Sequence, residues 1–404
     1  MNFDDTPDEA AFRLEVRQWL EANAPPRNSA APDDEAANLA IARAFQAKKA
    51  KAGYAAITWS KDVGGMGGTP IQQVIFSQEQ SRYRVGANFF SIGLGMCIPT
   101  VMKFGSAAHR ERHVRKALSG EEIWCQLFSE PAGGSDVAAA RTSAVPDGDG
   151  WIVNGQKVWT SGAHYCDFGI LIARTDVTVP KHKGLTMFVV DMRSPGVEVR
   201  PIRQMSGGAD FNEVFFSDVR ILDSDRLGAP GEGWKVALTT LMHERLSVGG
   251  NTGGFLGWRD ILKVAQENTI AGRPAAQDGR IRERIAESWT IEFGKKLLGY
   301  RAQTALSRGQ TPGPEQSILK LLTTAKPQES AYTLLDLLGE GGAVRAGDLG
   351  STWRKIENSW TFGAALRIAG GTDEILRNII AERVLGLPQD VRLDKDIPFN
   401  EIRN

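Results

Sequence analysis

The sequence predicts an α+β protein in which a helical domain, a β-sheet domain and a second helical domain follow one another. Apolar residues recur at helical spacing up to about residue 120, short β-rich runs separated by turns replace them, and the helical period returns after Gly233. Because helices and strands occupy separate stretches, segregated layers are favoured over alternating strand–helix units, and a Rossmann nucleotide site is not expected. For a chain of 404 residues we predict domains at 1–123, 124–233 and 234–404.

The first domain begins with an amphipathic stretch. Phe12, Val16 and Leu20 are spaced by four residues and therefore fall on one face of a helix. A proline pair at 25–26 and a glycine-rich segment at 64–68 interrupt the helical pattern. The glycine segment lacks the Lys-Ser/Thr pair that follows a phosphate-binding loop, so we interpret it as an ordinary loop.

The middle domain has the composition of an antiparallel β-barrel or sandwich. Short runs rich in β-branched and aromatic residues alternate with turn sequences such as Asp147-Gly148-Asp149-Gly150. The clearest predicted strands include residues 151–153, 169–172, 185–190 and 214–216.

The last domain returns to helical periodicity. We predict helices over residues 234–248, 281–305, 318–338 and 372–385.

The charge balance excludes several classes of function. Lys plus Arg and Asp plus Glu each total 48, so no net field favours nucleic acid or an anionic membrane. No apolar run is long enough for a membrane helix, and the acidic amino terminus shows no leader pattern. We therefore expect a cytoplasmic protein with no membrane span and no nucleic-acid partner.

Cysteine and histidine patterns do not predict a metal site. Cys97, Cys125 and Cys166 are too far apart for a zinc motif, and we expect them to be reduced packing residues. His109 and His113 have the spacing of helix-borne ligands, but basic residues lie between them. We therefore predict that this helix face is solvated.

Two segments of the middle domain carry the most specific pattern. Residues 127–136 read Leu-Phe-Ser-Glu-Pro-Ala-Gly-Gly-Ser-Asp, and residues 154–161 read Asn-Gly-Gln-Lys-Val-Trp-Thr-Ser. Small residues offer backbone N–H groups to a polar ligand, hydroxyls add directed hydrogen bonds, and Trp159 offers a flat face for a ring system. Taken singly, the first segment is compatible with an ordinary turn and Trp159 with a sheet core.

Together, the order and spacing of these segments resemble the flavin-binding signature of the acyl-CoA dehydrogenase family. The resemblance extends over nearly the whole chain and implies that family's fold, with a β-barrel between helical domains and a carboxyl-terminal four-helix bundle. It also implies FAD as cofactor, an acyl-CoA thioester as substrate, an electron-transferring flavoprotein as partner, and a homotetramer built as a dimer of dimers.

The resemblance also implies roles for individual residues. Leu127, Phe128 and Ser129 would face the pyrimidine edge of the flavin. Trp159 would pack on the isoalloxazine, with Thr160 beside it and Ser161 near N5. Gly134 and Ser135 would lie where the flavin diphosphate or the coenzyme A moiety passes, so Ser135 is a candidate for both ligands. In the carboxyl-terminal part, Thr372 and Glu374 are implied to contact FAD. In the family a neighbouring subunit completes each FAD site, and the residues implied to do so here are Arg273, Gly339 and Gly341.

The catalytic base requires a separate argument. Many family members carry a glutamate immediately before the Gly-Thr pair of the closing signature, where this chain has Gly370. A second location known in the family falls on Glu244, and the resemblance implies that the backbone N–H of Gly370 stabilises the thioester oxygen. It also makes Arg245 a candidate for binding substrate. Independently, Glu244 follows Leu241 on an otherwise apolar helix stripe, which is unusual for a carboxylate without a partner or a role.

Several readings stay open. Glu244 could instead pair with an arginine at the edge of a packed helix. The absence of a glutamate at position 370 also suits a catalytically silent FAD-binding subunit of a hetero-oligomer, and an acyl-CoA oxidase is a third possibility. Glycines at 249, 250, 253, 254 and 257, together with Gly370, favour a roomy pocket and a bulky, branched or long acyl group.

Overall fold

The computed structural model describes most of the chain. The described backbone covers residues 4–402 except 28, 30, 31, 33, 86–88, 249–255, 311, 312, 315, 345–350 and 392, and the side chains of 243–248, 306, 307, 316 and 351 are also outside the description. Backbone contacts divide the chain into two compact units. The first unit is Met1–Ile202, Ala209–Glu244 and Arg392–Asn404, and the second is Arg203–Gly208 and Arg245–Val391.

The first unit opens with helices, as predicted. Thr6 caps the first helix through a capping box with Glu9, which satisfies two backbone N–H groups at the helix start. The predicted stripe of Phe12, Val16 and Leu20 is buried. The helices are α1 (Pro7–Asn23), α2 (Glu35–Lys51), α3 (Pro70–Gln80), α4 (Ile98–Phe104) and α5 (Ala107–Ser119).

The prediction of a solvated face at His109 and His113 was wrong. Both side chains are buried on α5, and His113 Nδ1 lies 2.8 Å from Glu122 Oε2. The ring of His113 also packs edge-on against Trp124, with centroids 4.9 Å apart. The four-residue spacing places both histidines on the same stripe as the apolar residue Ala117, and this stripe faces the core.

The middle of the chain forms one eight-stranded sheet. Its pairing is mainly antiparallel, but β1 and β2 each pair with β4 in parallel. The path runs β6-β7-β3-β2-β4-β5-β8, with β1 added on β4. The strands are β1 (Trp124–Leu127), β2 (Ser143–Asp147), β3 (Gly150–Ser161), β4 (Phe168–Arg174), β5 (Leu185–Asp191), β6 (Val197–Ile202), β7 (Phe211–Leu222) and β8 (Arg226–Leu227).

The central strands are buried on both faces. Along β4, Leu171 belongs to one apolar cluster, whereas its neighbours Ile170 and Ile172 belong to another. Successive side chains of a strand point to opposite faces, so this arrangement explains why the strand is apolar throughout instead of alternating. The strand that carries Trp159 is thereby anchored in a sheet with a well-packed interior.

The second unit is helical, and the predicted periodic segments are confirmed as helices. The helix α6 (Gly233–Val248) runs across the division between the two units. Along the described chain, no helix is both long and apolar enough to cross a membrane. The remaining helices are α7 (Trp258–Glu267), α8 (Gly279–Ser307), α9 (Gln316–Leu338), α10 (Ser351–Thr361), α11 (Gly363–Ile368) and α12 (Asp373–Ile379), with a short hairpin of β9 (Thr269–Ile270) and β10 (Arg273–Pro274) between α7 and α8.

Candidate active site

The first motif forms a tight turn directly after β1. Glu130 and Gly133 exchange two backbone hydrogen bonds, at 2.9 and 3.0 Å, which close the turn. Gly134 and Ser135 follow it and are exposed. Within the described part of the chain, their backbone N–H groups donate to no protein acceptor. The end of the loop therefore offers donors to an external polar or anionic group.

The second motif is hydrogen-bonded to this loop. The backbone N–H of Val158 donates to the carbonyl of Ser129 at 2.9 Å. The ammonium of Lys157 donates to the carbonyl of Phe128 at 3.1 Å. These two bonds connect β3 to the loop immediately beside Trp159, although the segments lie about thirty residues apart in sequence.

Trp159 combines an unfavourable backbone conformation with an exposed ring. Its φ angle is +60°, which side-chain-bearing residues rarely adopt, and it lies in a register irregularity of the β3–β7 ladder. The residue is 59% exposed, and its ring lies edge-on to that of Phe211 with centroids 6.1 Å apart. A large apolar ring held in solvent by a strained backbone is typical of a binding platform rather than of the predicted alternative, a sheet core.

Thr160 and Ser161, the two hydroxyl residues that follow Trp159, differ in how far they are exposed to solvent. Ser161 is partly exposed, whereas Thr160 is 1% exposed and its hydroxyl is buried without a protein partner. The Thr160 carbonyl accepts a hydrogen bond from Asn212 Nδ2 at 2.9 Å. Of these two hydroxyls, only that of Ser161 is therefore accessible to a ligand lying on the Trp159 surface.

A buried ion pair connects the two motifs, and its role was not predicted from the sequence. Lys157 is fully buried, and its Nζ lies 2.7 Å from Glu130 Oε1. The carboxylate of Glu130 also accepts the backbone N–H groups of Arg141 at 2.7 Å and Thr142 at 2.9 Å. The sequence did contain a signal for this ion pair, because a glutamate lies in the first motif and a lysine in the second.

The protonation of the pair follows from its surroundings. Burial lowers the pKa of Lys157 to about 8, with Glu130 acting in the opposite direction. Burial alone would raise the pKa of Glu130, but the charge and hydrogen bond of Lys157 and the two backbone donors outweigh it and lower that pKa. The pair is therefore ionised at neutral pH, and it stabilises the turn after β1 through the contacts of Lys157 with Phe128 and Glu130.

We predict that Trp159→Gly separates ligand binding from folding. Glycine adopts positive φ without strain, and little packing is lost because the indole is mostly exposed. The unfolding midpoint of the ligand-free protein should therefore fall little or rise, whereas the Kd for FAD should increase at least about tenfold through lost stacking. Thermal unfolding and fluorescence titration with FAD measure the two effects. Unchanged FAD affinity would exclude Trp159 as the platform.

The candidate residues of the second unit lie on turns. Arg273 is exposed on the β9–β10 hairpin, whose turn residues Ala271 and Gly272 both have positive φ. Gly339, also with positive φ, and Gly341 lie in the 3-10 turn that follows α9. Their contact with FAD stays a prediction.

The closing signature forms the start of α12. Thr372 caps this helix by accepting the backbone N–H of Ile375 at 3.2 Å. The buried Lys320 donates to the carbonyl of Gly371 at 2.7 Å. Gly370 has φ +69°, where a residue with a side chain would cost about 1–2 kcal/mol. The backbone here thus favours the glycine that the sequence carries.

Of two further predicted site residues, the structure describes the side chain of Glu374 but not that of Glu244. Glu374 is exposed in the first turn of α12, and hydrogen bonds from its own backbone and from Thr372 lower its pKa. Glu244 lies in the last turns of α6, but its side chain and that of Arg245 are outside the described residues. The glycines predicted to open the pocket at 249, 250, 253 and 254 also fall outside them, and only Gly257 is described.

Family models match the chain over most of its length. The N-terminal domain of acyl-CoA dehydrogenases matches residues 6–121, the middle domain residues 125–219 and the C-terminal domain residues 231–385. Together these three models cover the helical, sheet and helical parts described above.

Individual proteins agree with the family models. Acyl-CoA dehydrogenase IpdE1 of Mycobacterium tuberculosis is 36% identical over 396 residues, which cover 94% of this chain and 98% of that protein. The ChsE4-ChsE5 complex from Mycobacterium tuberculosis has a chain with a TM-score of 0.79 and 27% identity, covering 96% of this chain and all of that one. The Tcur3481-Tcur3483 steroid ACAD matches with a TM-score of 0.78 and 25% identity, over 96% and 100% of the two chains. The chain thus belongs to the acyl-CoA dehydrogenase family, whose members are flavoprotein oxidoreductases.

Proposed function

We propose that the protein catalyses the FAD-dependent α,β-dehydrogenation of an acyl-CoA thioester and uses an electron-transferring flavoprotein as electron acceptor. The observation that carries this proposal is the exposed, strained Trp159 beside a loop with unused backbone donors at Gly134 and Ser135. A planar ring with a polar, phosphate-bearing extension matches both features. FAD has this chemistry.

The described residues suit FAD. Trp159 supplies the stacking surface, Ser161 a hydroxyl at its edge, and the turn after Phe128 supplies backbone groups held in place by Lys157 and Glu130. Through the family resemblance, we assign Thr372 and Glu374 to the same cofactor, and Arg273, Gly339 and Gly341 to the FAD site of a neighbouring subunit. When bound, FAD supplies the two-electron acceptor that no side chain of the protein can replace.

We assign the proton chemistry to Glu244. A carboxylate at this position would remove the proton α to the thioester, and the backbone N–H of Gly370 would stabilise the negative charge on the thioester oxygen. Gly370 itself has no group that can take a proton. Arg245, beside the base, is assigned to the substrate.

We propose a bulky, polycyclic acyl group as the substrate class. Many family members carry the catalytic glutamate at the position of Gly370, and the glycine leaves the volume of that side chain free for substrate. A structural relative of this chain is described as a steroid acyl-CoA dehydrogenase and aligns over nearly the full length of both chains. A steroid-derived thioester combines a large apolar group with the coenzyme A handle and would fill such a site.

Anaerobic titration of the yellow protein with a panel of thioesters tests the substrate class. We expect flavin bleaching by coenzyme A thioesters of steroid side chains, with a kcat/KM at least about tenfold above that for butyryl-CoA, because a pocket shaped for a large group loses apolar contact with a small one. Palmitoyl-CoA, whose acyl chain is long but neither branched nor cyclic, shows whether the enzyme requires a bulky acyl group or only a long one. A preference for butyryl-CoA would contradict the proposal.

A second candidate function is an FAD-binding subunit that has no catalytic base and works beside an active homologue. The glycine at position 370 favours this reading, and one structural relative is a complex of two named chains, ChsE4 and ChsE5. Failure of every thioester to bleach the flavin of the purified homogeneous protein would support it. An acyl-CoA oxidase would instead release peroxide in air, and sedimentation of the protein would test the homotetramer that we propose.

A further inference from the structure

The last described residues of the chain pack on the sheet domain. We refer to residues 393–402 as the tail, and they belong to the first compact unit although the sequence prediction placed them with the C-terminal helices. The backbone N–H of Phe399 donates to the carbonyl of Val179 at 2.9 Å, and that of Asn400 to the carbonyl of Val177 at 3.0 Å. The tail therefore runs along the loop that joins β4 to β5.

The first side-chain contact of the tail goes through a lysine. Lys181 Nζ lies 2.6 Å from Asp394 Oδ2 of the tail and 2.6 Å from Asp136 Oδ2. Burial lowers the pKa of Lys181, but the two carboxylates outweigh this effect and raise it. The lysine thus stays charged and bridges the tail to the residue that follows Ser135.

The second contact goes through a buried arginine. The guanidinium of Arg174 stacks on the ring of Phe399 at 3.9 Å, and the residue is only 3% exposed. Its Nη2 donates to the carbonyl of Ala138 at 2.5 Å and its Nε to that of Ala140 at 3.2 Å. Within the described residues, Arg174 hydrogen-bonds only to carbonyls. The aromatic face of Phe399 adds a favourable electrostatic contact to those from the nearby charges of Glu130, Asp136 and Asp176.

Both cations hold the same short segment. Lys181 binds Asp136, and Arg174 binds the carbonyls of Ala138 and Ala140. This segment directly follows the loop of Gly134 and Ser135, whose N–H groups are available to a ligand. Two contacts of the tail therefore converge, each through one cation, on the anchored end of that loop, and the two cations are joined by the hydrogen bond from Arg174 Nη1 to the carbonyl of Lys181 at 2.6 Å.

We infer that Asp394 and Phe399 are positioning residues: through Lys181 and Arg174 they fix the loop at Gly134 and Ser135 for a diphosphate-bearing ligand. The inference rests on the proposed function in that the diphosphate belongs to FAD or to the coenzyme A thioester. The tail itself touches neither reacting carbon, and its effect is on affinity.

The variants for the test are Asp394→Asn, Phe399→Leu and their combination in the full-length protein. Asp396→Asn is the matched control, because Asp396 is an exposed tail carboxylate with no ion pair in the described chain. Phe399→Tyr is the conservative control, because it keeps the aromatic face over Arg174 while Phe399→Leu removes it.

The first measurement is amide hydrogen exchange of residues 136–140 in the FAD-free protein. In the double variant we expect at least about tenfold faster exchange there, with wild-type exchange in β4, because loss of the two contacts lowers the local opening free energy. Wild-type exchange in residues 136–140 would overturn the inference. This readout needs neither cofactor nor turnover, so it stands even if the proposed reaction fails.

The second measurement separates the two sources of the diphosphate. We expect the double variant to raise the Kd for FAD, the KM for the thioester, or both, by about tenfold or more, while kcat of the FAD-saturated enzyme stays within about threefold. If only the Kd for FAD rises, the loop binds the diphosphate of FAD. If only the KM for the thioester rises, the loop binds the diphosphate of coenzyme A. Unchanged Kd and KM, or the same rise in Asp396→Asn, would overturn the positioning role, whereas wild-type values in Phe399→Tyr support it.

Discussion

Replacing Glu244 by glutamine is expected to leave FAD bound and to lower kcat by between about 10² and 10⁴, the usual contribution of a general base. Glutamine has nearly the same volume as glutamate but cannot accept the α proton. The flavin absorbance spectrum reports cofactor retention, and anaerobic stopped-flow reduction by a saturating thioester measures the chemical step.

A matched control shows whether the loss is specific to this position. Glu374→Gln makes the same chemical change at an exposed glutamate on α12, and we expect it to affect FAD affinity far more than the rate at saturating FAD. Near-normal reduction in the Glu244→Gln protein would mean that Glu244 is not the base. The edge ion pair that the sequence also allowed would then be the better explanation of this residue.

Replacing Lys157 by methionine is expected to lower the free energy of unfolding by about 3–5 kcal/mol, because it leaves the buried carboxylate of Glu130 without its cation. The carbonyl of Phe128 loses its donor at the same time, so the turn that carries the candidate flavin contacts should loosen. Urea unfolding of the FAD-free protein measures the first effect, and titration with FAD measures the second.

Two comparison variants make this prediction specific. Arg200→Met removes one partner of an exposed ion pair with Glu198 on β6 and should cost less than about 1 kcal/mol. The double variant Glu130→Gln/Lys157→Met removes both buried charges and should regain part of the stability lost in the single variant. If Lys157→Met unfolded like Arg200→Met, the buried pair would have no role in holding the turn.

The features predicted correctly from the sequence are those that depend on near neighbours in the chain. The helix at Phe12, Val16 and Leu20 follows from a spacing that local backbone geometry imposes. That position 370 carries no side chain able to take a proton can be read directly from the sequence, whereas the place of the base stays a prediction. The two chemical motifs could be paired because their order and spacing match a family.

Features that depend on distant parts of the chain were decided by the tertiary structure. His109 and His113 carry the same local pattern as a solvated basic face, and that face is part of the core because His113 packs against Trp124 and Phe168, which lie in two different strands. The partnership of Lys157 with Glu130 likewise follows from the pairing of a strand with a loop. Charge spacing along the chain does not encode such contacts.

The sequence by itself determined the order of the layers, the family and the candidate residues. The tertiary structure decided that Trp159 is exposed on a strained backbone, that β1 pairs in parallel with β4, and that the tail packs beside the candidate loop. The physical reason is that periodicity reports which face of one element is apolar, whereas strand pairing and buried charge contacts join residues tens to hundreds of positions apart.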